Sequence, residues 1–218
     1  MSKNSRMDNP ALRFLNQIAD IMILSLLWLI GCLPVITIGT ATTALYYASM
    51  QAARGEGTAV RNFLRACRQN WKQAALVELI LLGLGLVLYV DVRAALGMEG
   101  LMRTVLLPLL VVVLVLFAMA AFYLFPLLAR FDCAIPVLFR NAALISFTNL
   151  PCTLAVIGLH LMAALLPVLL PELLVYGFPA FLALLPGGLA RACAALFARV
   201  FRKYAPDRQA KAEGRRAA

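Results

Sequence analysis

The sequence predicts an all-α fold, a multi-pass transmembrane helical bundle of about five or six membrane segments. Three observations lead there. Hydrophobic residues make up 63% of the 218-residue chain and charged residues 14%, with a mean hydropathy of +0.89. A soluble domain runs nearer to about 25% charged and about 45–50% apolar. The apolar residues also fall in long runs: residues 21–53 and 104–129 hold no charged side chain, and over 142–171 the one ionisable group is His160. A helix rising about 1.5 Å per residue crosses about 30 Å of hydrocarbon in about 20 residues, so each run is long enough to span. Finally, the charges gather in short segments between the runs, where positive charge governs orientation.

The first run decides the topology. If 21–53 crossed once, the basic N-terminus (Lys3, Arg6, Arg13) and the basic segment 54–72 would lie on opposite sides. If it enters and returns, both are cytoplasmic and only Arg93 and Arg103 lie outside, as the positive-inside bias requires. Pro34 supplies the break, because proline lacks a backbone donor and disfavours helix at Leu33. Gly39 adds backbone freedom, and Thr40, Thr42 and Thr43 are candidate N-caps for a return helix. That helix, 40–53, would rise only about 21 Å, so it is either a short tilted span or a re-entrant half-helix. The first apolar run is longer than the about 7–15 residues of a signal peptide core, so the N-terminus reads as mature protein.

Segment 58–73 is too charged to span. Val60, Phe63, Leu64, Cys67 and Trp71 recur on one helical face, and Arg61, Arg65, Arg68 and Lys72 form an adjacent stripe. This predicts a basic amphipathic helix at the inner interface, offering a surface to anionic lipid or to a partner. Further spans are expected near 74–91, 104–129, 142–168 and 173–191, after a first helix near 14–33, with Pro171 and Glu172 in a tight outer turn. Leu196, Val200 and Phe201, interleaved with Arg199, Arg202 and Lys203, predict a second interfacial stretch. Residues 1–204 thus form one integral membrane domain, and 205–218 a basic, disordered cytoplasmic tail.

Ionisable groups inside a span are costly and are functional candidates by default. Here they are His160, which could be a proton relay or a neutral imidazole satisfied by a neighbouring helix, and Glu78, which could snorkel or pair with Arg68 or Lys72. Ser146, Asn149 and Pro151 make a polar, kinkable stretch that lines a cavity or satisfies a neighbour. Gly83 and Gly85 read as close-packing positions. The net charge of +10 lies in loops beside spans, which argues for membrane orientation and against nucleic acid. The five cysteines are widely spaced with no C-x-x-C pair, so metal or redox sites are not expected. No H-E-x-x-H, P-loop, G-x-S-x-G or carboxylate pair at helical spacing occurs, so no catalytic residue, cofactor or metal is expected.

Several motifs fall in a recognisable order: Asn9-Pro10 with Phe14, Asn16 and Asp20; Leu33-Pro34-Val35-Ile36-Thr37-Ile38-Gly39 leading to Thr42-Thr43-Ala44-Leu45-Tyr46-Tyr47; Asn70-Trp71-Lys72-Gln73; and Pro126-Leu127-Leu128-Ala129-Arg130-Phe131. From about residue 8 to 204 the chain resembles the YesL family of small bacterial integral membrane proteins, built on a domain of unknown function. The resemblance implies a non-enzymatic accessory component associated with ABC-type carbohydrate uptake. It lies in the bacterial cytoplasmic membrane with both termini cytoplasmic, and its partners are the lipid bilayer and an ABC sugar permease. The alternative is a small transporter or channel with its path near the broken 33–43 segment and His160.

Overall fold

The computed structural model describes residues 10–131 and 133–204. The expected disordered tail, 205–218, lies outside the described residues. The elements of the described residues are all helical: α1 (Pro10–Gly31), a 3-10 turn (Val35–Thr37), α2 (Ile38–Ala53), α3 (Ala59–Leu96), α4 (Gly100–Arg130), α5 (Ile135–Thr148), α6 (Leu150–Leu169), α7 (Pro171–Tyr176) and α8 (Phe178–Tyr204). Among the described residues five helices are long and apolar enough to cross a membrane: α1, α3, α4, α6 and α8. The chain is an all-α, multi-pass membrane bundle.

The break after α1 falls where Pro34 predicts it. The Thr37 hydroxyl turns back to donate to the Gly31 carbonyl at 2.6 Å and the Pro34 carbonyl at 2.9 Å. α2 then runs antiparallel along α3, with Gly39 opposite Glu78 and the Thr40 hydroxyl reaching the Trp71 carbonyl. At 16 residues it rises about 24 Å, short of the hydrocarbon thickness, and most of its side chains are buried by protein. The tight link into α3 depends on Gly55 and Gly57, both near φ +70°, and on Asn62, whose amide donates to the Glu56 carbonyl at 2.6 Å.

The packed core sits toward one end of the bundle. There Phe197 stacks on Phe201 with centroids 5.6 Å apart, and Tyr123 meets the edge of Phe197 at 4.9 Å. Tyr46 closes on Phe197 from α2, and Phe131 on Phe201 from the end of α4. Toward the other end, Leu82, Leu86 and Val90 of α3 and Leu101, Val105 and Val112 of α4 are exposed. Lipid tails are as apolar as leucine, so this exposure costs little.

The structure redraws three expected boundaries. The separate interfacial helix over 58–73 is instead the start of α3, one continuous helix of 38 residues; no glycine or proline interrupts 58–82. The expected span 142–168 divides at Asn149 into α5 and α6, because Pro151 lacks an amide donor and its ring opposes the preceding helical turn. The last helix runs on to Tyr204. Phe197, Val200 and Phe201 are therefore core residues, not lipid contacts of an interfacial tail. The close-packing glycines also differ from expectation. Nothing lies within 4 Å of a Cβ built on Gly83, and only the Phe117 ring, at 3.9 Å, near one on Gly85. The tight crossing is between α1 and α8, where the Gly187 amide donates to the Ser25 hydroxyl at 2.9 Å and a side chain at 187 would meet the Ile21 carbonyl.

Candidate functional site

The intramembrane carboxylate has a structural partner. Glu78 is only 7% exposed, and its Oε2 accepts a hydrogen bond from the Gly39 amide at 2.8 Å. A helix N-terminus leaves its first amides without intrahelical acceptors and carries partial positive charge. Glu78 therefore caps α2 from across the bundle. This corrects two expectations: Glu78 pairs with neither Arg68 nor Lys72, and the threonines of 40–43 are not caps. Thr43 donates to the Gly39 carbonyl at 2.8 Å, and Thr42 accepts from the Trp28 indole at 3.2 Å. The arrangement requires glycine at 39, where a Cβ would lie 2.8 Å from the Phe125 ring, 2.9 Å from the Glu78 Cβ and 3.0 Å from the Ala74 carbonyl oxygen.

His160 lies elsewhere. Its Nδ1 is 2.8 Å from the Val156 carbonyl one turn back in α6. A carbonyl only accepts, so Nδ1 carries the proton in this geometry. The ring tilts against Phe122 of α4, centroids 4.6 Å apart. Phe125, one turn further along α4, packs on Gly39, so aromatic rings stand beside each ionisable group. Among the described residues no hydrogen bond or ion pair joins Glu78 to His160. The polar stretch at the α5–α6 break satisfies its neighbours: Thr153 donates to the Ser146 carbonyl at 2.8 Å, and its oxygen lies 3.0 Å from the Tyr123 hydroxyl.

What remains open to a partner is the start of α3. Ala59, Asn62, Phe63 and Ala66 turn into the bundle and are buried. Val60, Leu64 and Trp71, which their spacing groups with Phe63 on one face, are instead 39%, 48% and 55% exposed. The hidden face is thus rotated from the one the apolar spacing picks out, because α2 covers the alanine edge of the helix. Val60 and Leu64 share the outer surface with Arg61, Arg65 and Arg68, around an open groove of about 650 Å³. Lys72 lies one turn further on, its Nζ 5.5 Å from the centre of the Trp71 ring. The four basic residues expected to form one exposed stripe are all exposed. Val60 and Leu64 stand beside them, as the adjacent stripes predict, while Phe63 of the same apolar set is buried. Gln73 anchors this region by donating to the Cys133 carbonyl in the α4–α5 connection.

Among the described residues no group of three or more His, Cys, Asp or Glu side chains could hold a metal. The five cysteines are free.

Residues 21–92 match the family model described as "Protein of unknown function, DUF624", a stretch that contains the break, α2, Glu78 and the basic turns of α3. The chain is 26% identical over 140 residues to "Uncharacterized protein YesL" of Bacillus subtilis (strain 168). The alignment covers 63% of this chain and 66% of that relative, just under two thirds of its length. No solved structure matches.

Proposed function

We infer that this chain, which is similar to YesL and matches the DUF624 model over residues 21–92, is a non-enzymatic accessory component of ABC-type carbohydrate uptake. It sits in the bacterial cytoplasmic membrane with the start of α3 on the cytoplasmic side, and it engages a sugar permease or its associated proteins. The observation that carries this reading is the exposed row Arg61, Arg65 and Arg68, which has no ion pair among the described residues, beside Val60 and Leu64, held on a helix that runs on into a membrane span. A surface fixed to a span can position a partner against the bilayer without chemistry of its own. The sugar importer itself comes from the resemblance to the YesL family.

The rival reading is a small transporter or channel with its path near 33–43 and His160. A coupled carrier keeps ionisable groups free at the midplane to bind and release charge. Against it, Glu78 already accepts from Gly39 and His160 already bonds its own helix. The test is purification of the tagged chain in mild detergent from its native membrane. An ABC permease should accompany the wild type and be lost from the variant Arg61→Glu/Arg65→Glu/Arg68→Glu. A permease absent even after chemical cross-linking in intact membranes would refute the reading.

A further inference from the structure

We propose that the groove at the start of α3 receives an acidic amphipathic helix from a cytoplasmic partner; this rests on reading the basic turns of α3 as the interaction surface.

The first step is to place the groove relative to the membrane. Trp71 and Lys72, stacked together, form an aromatic and cationic pair of the kind that marks a membrane boundary. At the far end of the same span stand the exposed residues Tyr89, Asp91 and Arg93. Lys72 and Asp91 are about 28 Å apart along the helix axis, which matches the hydrocarbon thickness of about 30 Å. Counting back from Lys72, Arg68 lies about 6 Å outside the hydrocarbon, Arg65 about 10 Å and Arg61 about 16 Å. The headgroup layer occupies only about 5–7 Å on each side. Helical side chains also tilt toward the helix N-terminus, which here is the direction away from the bilayer. Lys72 and Arg68 can meet lipid phosphates; Arg61, Arg65, Val60 and Leu64 stand beyond them in water.

The second step is the chemistry of the occupant. Arg61, Arg65 and Arg68 follow one another at steps of four and three and make no ion pair among the described residues. Val60 and Leu64 form an apolar pair one turn apart beside them and are exposed. A complementary ligand carries carboxylates at three- and four-residue spacing along one edge and an apolar row next to it, which is an acidic amphipathic helix laid along the groove. A second copy of this chain does not supply one, because no two of its 10 acidic residues lie three or four positions apart.

The experiment uses the full chain in nanodiscs of neutral phosphatidylcholine. The probe is a fluorescent designed helix with glutamates at i, i+4 and i+7 beside a leucine row, followed by anisotropy. The probe should bind saturably, at least tenfold more weakly to Arg61→Glu/Arg65→Glu/Arg68→Glu and several-fold more weakly to Leu64→Ser. Binding to His160→Ala should be unchanged, and a lysine version of the probe should not bind. Nanodiscs containing anionic phosphatidylglycerol should weaken binding by no more than several-fold, through competition at Arg68, since Arg61, Arg65, Val60 and Leu64 lie beyond the headgroups. Loss of binding in anionic nanodiscs would overturn the proposal in favour of lipid in the groove. Absence of binding in neutral nanodiscs, with the permease still co-purifying in a manner sensitive to the charge reversal, would overturn the acidic helix alone and leave the accessory reading standing. Probe binding without any co-purifying permease would do the reverse.

Discussion

Replacing Gly39 with alanine adds one methyl group where three elements converge. The new Cβ would lie 2.8 Å from the Phe125 ring, 2.9 Å from the Glu78 Cβ and 3.0 Å from the Ala74 carbonyl oxygen. The ring can turn, but a backbone carbonyl within α3 cannot move without shifting the helix. Overpacking of this kind costs about 1–3 kcal/mol. It also pushes α2 from α3 and stretches the 2.8 Å bond between the Gly39 amide and Glu78. At this chain length 1 kcal/mol corresponds to about 2–4 °C, so the expected fall in melting temperature is about 2–12 °C. The assay is thermal unfolding of the purified protein in mild detergent, with Gly83→Ala as the control. Position 83 has nothing within 4 Å of an added Cβ, and glycine in a helix is about 0.8–1.0 kcal/mol less favourable than alanine, so that variant should be unchanged or slightly more stable. Equal destabilisation by both substitutions would refute the convergence at Gly39.

Other outcomes follow from the same contacts. Glu78→Leu removes the acceptor for the Gly39 amide and should cost about 1–3 kcal/mol, while Glu78→Gln keeps an acceptor and should cost less; an equal loss in melting temperature would contradict the cap. Thr153→Val removes the donor to the Ser146 carbonyl, and should lower the melting temperature by several degrees through that unsatisfied buried acceptor. For topology, impermeant thiol reagents should reach Gly97→Cys and Glu172→Cys in a cysteine-free background and miss Glu56→Cys. External labelling at 56 would overturn the orientation.

The apolar runs and the break at Pro34 were legible because both are local: hydropathy reports burial in lipid, and proline reports a missing donor. The division at Asn149 was hidden because Asn149 and Pro151 sit inside an uncharged run that hydropathy reads as one span. The continuity of α3 was hidden by its charge density, although helix persistence depends on the absence of breakers over 58–82 and not on polarity. The extension of α8 did leave a signal, since Cys193, Phe197 and Phe201 recur at four-residue steps; the basic residues Arg199, Arg202 and Lys203 masked it. The role of Glu78 could not be read locally, because its partner lies 39 residues away. The four basic residues of the surface were legible as a stripe. That Phe63 is buried while Val60 and Leu64 are exposed was not legible, because spacing alone cannot say which part of an apolar face α2 covers.

The most direct test of the account is uptake of labelled sugar through the importer proposed as the chain's partner, measured at matched expression of inserted protein. Uptake should fall sharply with Arg61→Glu/Arg65→Glu/Arg68→Glu and stay near wild type with His160→Ala. Uptake abolished by His160→Ala and untouched by the charge reversal would contradict the accessory reading and assign the activity to a midplane site.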